Sequence, residues 1–181
     1  MRVLVLMRHA KAVPDDGDIA DIDRPLNKRG REAAPLVARE LIARGHWPDA
    51  VACSNAQRTM ETLDLALSEG AAAGKPRPEA RFERDLYLAE APALIERARW
   101  FPATAKIAML VGHNPGMHEA AYRLARKPRD RAEQVLADQL SSRFPTGTAA
   151  VLSFDTDNWR EIGLQTGKLL AFIRPRDLSP A

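Results

Sequence analysis

The chain has 181 residues, 45% hydrophobic and 28% charged, a length and balance that fit one globular domain with a real core and exclude a disordered chain. Its 27 basic and 24 acidic residues leave a formal net charge of +3, too even for a dedicated nucleic-acid binder, and no basic run interleaved with aromatics appears. Cys53 is the single cysteine, which excludes an internal disulfide or a thiolate metal cluster. With no apolar stretch near the roughly 18 residues of a membrane span and no cleavable leader, a soluble, cytoplasmic protein with neither nucleic-acid nor membrane partner is expected.

The apolar run Val3-Leu4-Val5-Leu6-Met7 predicts a buried strand, central in a parallel sheet. It ends abruptly in Arg8-His9-Ala10. In open α/β sheets ligands bind beyond the carboxyl ends of the strands. There an arginine offers a planar fork for phosphate oxygens, and a neutral imidazole can attack phosphorus and carry the phosphoryl group. Taken alone, the pair also reads as a strand end turning polar at solvent.

Residues 11–26 read as a polar loop, with turn chemistry at Pro14, Asp15, Asp16, Gly17 and Asp18. A helix follows from about Lys28 to Arg44, with Ala33, Leu36, Val37, Leu41 and Ile42 at helical spacing, Asn27 as N-cap and Gly45 as stop. Pro35 predicts a bend or a slightly later start. Asp49 to Cys53 reads as a second strand, which makes Cys53 a buried structural thiol. Ser54-Asn55 then reads as the cap of a helix carrying Arg58 and Thr62. Residues 70–85, rich in Gly, Ala, Pro and Arg, read as a surface connection. A helix is expected over Ala91–Phe101, and a third strand over Ile107–Val111, ending in Gly112-His113-Asn114-Pro115-Gly116. Helices around Met117–Arg126 and Arg131–Leu140 come next; strands over Ala149–Phe154, Trp159–Leu164 and Leu169–Ile173 finish the chain. With no repeat or low-complexity linker, the expected fold is α/β: a three-layer α/β/α sandwich around a mostly parallel sheet, one domain over residues 1–181.

Parallel strands point the same way, so three strand-to-helix junctions share one sheet edge. They carry Arg8 and His9, Ser54 and Arg58, and His113 and Asn114. Each has a plainer reading alone: a solvated helical arginine at Arg58, an N-cap at Ser54, a tight turn with a capping asparagine at His113-Asn114. Their agreement argues for an anion pocket with a nucleophile. His46 and His118 sit in no metal-ligand spacing and read as surface or packing histidines. Arginines already neutralise a phosphoryl group, so neither metal nor other cofactor is expected. The arginine-rich stretch Arg123–Arg131 reads as a solvated face.

Arg8-His9-Ala10, Ser54-x-Ala56-x-Arg58-x-x-x-Thr62 and Val111-Gly112-His113-Asn114-Pro115 resemble the histidine phosphatase superfamily, the group that includes cofactor-dependent phosphoglycerate mutases. Leu26-x-x-x-Gly30 and Phe144-Pro145-Thr146-Gly147 add to the likeness, which runs from Met1 to about Phe172 and is greatest to the small SixA-like phosphohistidine phosphatases. The resemblance implies a phosphoglycerate mutase-like fold with a minimal lid. It implies that His9 attacks phosphorus, with Arg8, Arg58 and His113 catalytic and binding phosphate alongside Asn114. Ser54 or a backbone carbonyl is expected to fix the His9 tautomer. His113 is expected to donate as a cation while His9 stays neutral, which requires their pKa values to be pushed apart.

Two departures from the family pattern matter. Ala10 replaces the usual glycine, which is tolerable where the backbone does not need a positive φ. Larger relatives carry a glutamate proton donor in a stretch that aligns near Asp85-Leu86-Tyr87. Here Tyr87 or Leu86 takes its place, and Glu83, Asp85 and Glu90 read as solvated carboxylates. An alkoxide needs a general acid to leave, whereas a phosphorylated imidazole leaves readily. With little chain between the second and third junctions to form a lid, the expected partner is a phosphorylated protein, a phosphohistidine carrier in signalling or phosphotransfer. The alternative is a phosphatase of a small phosphorylated metabolite, with Glu83, Asp85, Glu90 or an aspartate of the N-terminal loop as acid. A non-catalytic phosphate-binding module is the third reading.

Overall fold

The structure, a computed structural model, describes residues 1–178. The Val/Leu run forms β1 (Arg2–Arg8), buried along nearly its whole length. Its alternate side chains feed two cores, as the period of a strand requires. Val3, Val5 and Met7 pack with Val37 and Leu41 of α1 (Lys28–Ala43) and with Leu63 and Leu67 of α2 (Gln57–Ala72). Leu4 and Leu6 face the other layer, with Leu94 of α3 (Ala91–Ala98), Met117 and Leu124 of α4 (Gly116–Leu124) and Leu140 of α5 (Arg131–Ser142). The result is the expected α/β/α sandwich.

The sheet is completed by β2 (Ala50–Ser54), β3 (Glu79–Glu83), β4 (Ile107–Gly112), β5 (Ala149–Phe154) and β6 (Lys168–Ile173), in the order β3-β2-β4-β1-β5-β6. The β1–β4, β2–β4 and β2–β3 pairs are parallel; β5 is antiparallel to both β1 and β6. The carboxyl ends of β1, β2 and β4 therefore meet at one edge. There Arg8 stands in register with Gly112, and the His9 N–H donates to the Gly112 carbonyl at 3.0 Å.

Four local expectations are corrected. Asn27 caps α1 by accepting from the Gly30 N–H, so the helix begins at Lys28 and Pro35 stands inside it rather than near its start. Ser54 and Asn55 do not cap α2, which starts at Gln57 without a side-chain cap. The connection over 70–85 contains the edge strand β3. Its charged residues Glu79, Arg81 and Glu83 alternate with only two apolar ones, Ala80 and Phe82, and such charges protect a sheet edge from pairing with other chains. The strand expected over Trp159–Leu164 is a single 3-10 turn, Trp159–Glu161, in which the buried Trp159 indole donates to the Ala105 carbonyl at 2.9 Å. In addition, α3 ends at Ala98 rather than Phe101.

Gly30 has a packing role that reaches the site. A Cβ there would lie 2.1 Å from the Lys11 carbonyl oxygen, and the Asn27 N–H donates to that same oxygen at 2.9 Å. The first turn of α1 thus rests on backbone two residues beyond His9. Gly30→Ala is expected to cost about 1–3 kcal/mol through this overlap, outweighing the roughly 1 kcal/mol that alanine would otherwise gain in a helix. Urea unfolding beside a turnover assay would show both stability and activity falling; wild-type stability would contradict the packing argument.

Candidate active site

His9 lies just past the end of β1, only 8% exposed. Its main-chain neighbours are fixed from several sides. Thr62 Oγ1 accepts the Ala10 N–H at 2.9 Å and donates to the Arg58 carbonyl at 2.6 Å, which explains the four-residue spacing of Arg58 and Thr62. The Gly147 N–H donates to the His9 carbonyl at 2.8 Å, with Gly147 at φ +75°. Ala10 does not have a positive φ, so an alanine at the family's glycine position costs nothing here.

Arg8, His9, Arg58, His113 and Asn114 come together around one cavity of about 440 Å³. The His9 and His113 rings are 5.3 Å apart, and Tyr87 stands edge-on to His113 at 5.4 Å. His9 Nδ1 lies 2.7 Å from the Ala10 carbonyl oxygen. A carbonyl can only accept, so Nδ1 carries the proton and the Nε2 lone pair is left as the nucleophilic position. The backbone alternative for the His9 tautomer is therefore realised, and Ser54 has another partner. Its Oγ lies 2.8 Å from His113 Nε2 and accepts the Ala56 N–H at 3.3 Å. The hydroxyl keeps a proton to give and a second lone pair, so it pairs with Nε2 in either His113 tautomer.

The expected split between a neutral His9 and a cationic His113 is not found; both imidazoles are neutral. Burial, aided by Arg58, Arg8 and Arg24 and opposed by the Ala10 carbonyl, lowers the His9 pKa from 6.5 to about 4. Burial and then Arg58 lower that of His113 from 6.5 to about 3. His113 is thus a neutral imidazole, which donates to an anion through Nδ1 when its proton sits there. NMR titration should show the His9 and His113 imidazole signals unmoved as pH falls past 6.5, shifting only near 4 and 3. A midpoint near 6.5 for either would contradict this environment. An unfolded chain binds these two protons near pH 6.5, whereas the folded chain does not. Stability conferred by this state is therefore full above 6.5 and falls as pH drops toward 4.

Three buried nitrogens in this cluster have no hydrogen-bond partner: Arg8 Nε, Arg58 Nε and His113 Nδ1. Buried donors are rarely left unpaired without a functional reason. All three belong to side chains lining the cavity, and all three suit an anion. Asn114 is different. Its Nδ2 donates to the Phe144 carbonyl at 2.9 Å, the same oxygen that receives Arg8 Nη1 at 2.9 Å, and its Oδ1 is an acceptor. Asn114 thus braces the loop that holds Arg8, and its second Nδ2 proton is left for an anion in the cavity it lines.

Asp21 and Arg24 also line the cavity; the sequence reading offered an aspartate of this loop without saying which, and did not single out Arg24. The 2%-exposed Arg58 gives both terminal nitrogens to Asp21: Nη2 to Oδ2 at 2.9 Å, Nη1 to the carbonyl at 2.5 Å. Arg24 grips Asp21 Oδ1 at 2.7 Å, and the Tyr87 hydroxyl donates to Oδ2. Chiefly through the Tyr87 hydrogen bond, then Arg58 and Arg24, the Asp21 carboxyl is held well below the usual carboxylate range. The Tyr87 phenol is pushed up by burial and by Asp21 and stays a neutral donor. Glu83 pairs with Arg97 at 2.8 Å, while Asp85 and Glu90 are exposed; none of the three lines the cavity. The signal for Asp21 was available in the buried Leu26, which bridges back to Ala12 and so returns the residues just before it to the end of β1.

Comparison with known proteins gives the family and the fold. Residues 4–153 match the family model described as histidine phosphatase superfamily (branch 1). An uncharacterized protein of Mycobacterium tuberculosis is 35% identical over 170 residues, covering 94% of this chain and all of that one. An uncharacterized chloroplastic protein of Arabidopsis thaliana is 31% identical, covering 96% of this chain and 78% of that one. Among solved structures, SixA from Nakamurella multipartitia superposes with a TM-score of 0.77 at 31% identity, covering 96% of each chain. The protein histidine phosphatase SixA complexed with tungstate gives 0.73 at 18% identity, covering 97% of this chain and 98% of that one, a likeness of fold. Among the described residues no helix is long and apolar enough to cross a membrane.

Proposed function

The chain belongs to the histidine phosphatase superfamily, and from that membership we propose that it is a phosphatase hydrolysing phosphohistidine on a phosphotransfer or signalling protein. His9 is the nucleophile of this reaction. Its Nε2 lone pair forms a bond to phosphorus as the bond from phosphorus to the substrate imidazole nitrogen breaks, in line, and a substrate ring already protonated on its other nitrogen leaves as neutral imidazole. Arg8, Arg58 and His113 Nδ1–H hold the three equatorial oxygens, whose charge must be stabilised through the transition state. Water then attacks phosphorus, the P–Nε2 bond breaks, and inorganic phosphate leaves with His9 restored.

The observation that carries the choice of substrate is the state of Asp21. It is the carboxylate that lines the cavity, and Tyr87, Arg58 and Arg24 hold it ionised. An ionised carboxylate has no proton to give to a departing alkoxide, so the site suits a leaving group that needs no acid there, such as an imidazole already protonated on its other nitrogen. The second reading, a small-metabolite phosphomonoesterase, draws on the same residue: an aspartate of the N-terminal loop does stand at the site.

One comparison separates the two. The enzyme is offered a phosphohistidine-bearing phosphotransfer protein and, in parallel, sugar, nucleotide and amino-acid phosphates. The phosphoprotein is expected to be dephosphorylated with the highest kcat/KM. Preference for an alkyl phosphate, lost in Asp21→Asn, would overturn this reading in favour of the second.

A further inference from the structure

Beside the catalytic cavity lies a larger one of about 800 Å³, and the two share Lys11 and Thr146 as walls. Its long side is one face of α1, where Arg29, Glu32, Leu36 and Arg39 recur at helical spacing; Arg176 faces them from the 3-10 turn Pro175–Asp177. Four cations, Lys11, Arg29, Arg39 and Arg176, stand against one carboxylate, Glu32, which lies 4.0 Å from Lys28. Arg39 is bridged to Glu69 at 2.8 Å and Arg176 approaches Asp177 at 3.6 Å. Lys11 and Arg29 have no carboxylate partner among the described residues. The floor between them is apolar, formed by Ala33, Pro35, Leu36 and Pro175.

The charge is placed against local preference. The first turn of α1 holds Lys28, Arg29 and Arg31 and no acidic residue, although cations are disfavoured at the positive end of a helix. A sequence that breaks a local rule in this way does so most often for function. The cations are also spread out: Arg29 and Arg39 are ten residues apart on α1, about 15 Å at 1.5 Å per residue. That span is far larger than one phosphate and matches about five residues of extended polypeptide.

We propose that this groove holds an acidic polypeptide segment of the phosphoprotein whose phosphohistidine enters the catalytic cavity. The assignment rests on the phosphohistidine reading above. Charge complementarity selects the segment, the apolar floor packs its non-acidic side chains, and Lys11 links groove to reaction centre.

The test uses the double variant Arg29→Glu/Arg176→Glu, with Arg29→Gln/Arg176→Gln beside it in case charge reversal disturbs folding. A fluorescent peptide rich in Asp and Glu, carrying no phosphohistidine, is titrated against each protein alongside its Asn/Gln counterpart. The acidic peptide is expected to bind wild type more tightly than the neutral one, to weaken about tenfold on charge reversal, and to weaken also in about 1 M salt. Turnover of phosphoramidate, too small to reach the groove, should stay within about twofold in both variants. Equal binding of acidic and neutral peptides, or of wild type and a folded variant, would overturn the groove. Hydrolysis of a phosphohistidine protein unaffected by either variant would overturn it too, leaving the function intact. Groove-dependent binding with no hydrolysis of any phosphohistidine protein would instead overturn the substrate reading, and the groove's assignment to that substrate with it.

Discussion

His9→Ala is expected to lower kcat/KM by about 10⁴-fold or more, because it removes the group that accepts the phosphoryl and leaves water no intermediate to hydrolyse. The structure gives the loss a specific origin. The Ala10 carbonyl fixes the proton on Nδ1, and burial among arginines keeps the ring neutral, so the wild-type imidazole is ready to attack without a base. The other imidazole of the cavity, His113, has its Nε2 engaged by Ser54. The alanine variant should stay folded, since His9 makes its structural contacts through the backbone. It should also lose stability less steeply than wild type as pH falls below 6.5, having one fewer buried neutral imidazole to protonate on unfolding. Single-turnover assays beside thermal melts would check both. A folded variant retaining more than about a tenth of wild-type turnover would remove His9 from the chemistry.

Arg58→Ala carries the second-largest expected effect, a fall of about 10²–10³ in kcat/KM, the usual consequence of losing one positioned donor to a developing charge. Arg58 does two jobs. Its buried Nε is one of the three unpartnered donors, and its terminal nitrogens pin Asp21 and thereby the loop that walls the cavity. Truncation should therefore also cost about 1–3 kcal/mol of stability, since charged hydrogen bonds to a partly buried carboxylate are lost. Arg24 and Tyr87 would still hold Asp21, which limits the damage. Arg58→Lys keeps the charge without the planar fork and should recover only part of the activity. Equal activity of the lysine variant and wild type would show that the fork is not used.

The sequence reading locates the junctions well because β1, β2 and β4 are buried, and burial leaves a continuous apolar signal broken sharply by polar residues. Arg8, His9, Arg58 and His113 stand at one edge for that reason alone. What escapes it is interaction between segments distant in the chain. Ser54 reads as a helix cap because capping is a local habit, yet it serves His113, 59 positions away. Asn114 also braces the Phe144 carbonyl, 30 positions away, a contact that no local pattern announces. The sequence offers an aspartate of the N-terminal loop at the site but does not single out Asp21 among several. Only the anchoring of that loop at Leu26 brings it onto Arg58. The charge states of His9 and His113 depend on burial that composition does not encode. The strand β3 was missed because an exposed edge strand carries charges where a buried one carries valines.

The central claim is that the phosphoryl group passes through His9, and its most direct test is the chemical stability of a trapped label. The enzyme is mixed with a phosphohistidine protein carrying labelled phosphate, quenched rapidly, and the label on wild type and His9→Ala is challenged with acid and base. A label that acid removes and base spares, present on wild type and absent from the variant, is the predicted result. A variant that turns over substrate at the wild-type rate without any label would contradict it, because water would then attack the substrate directly.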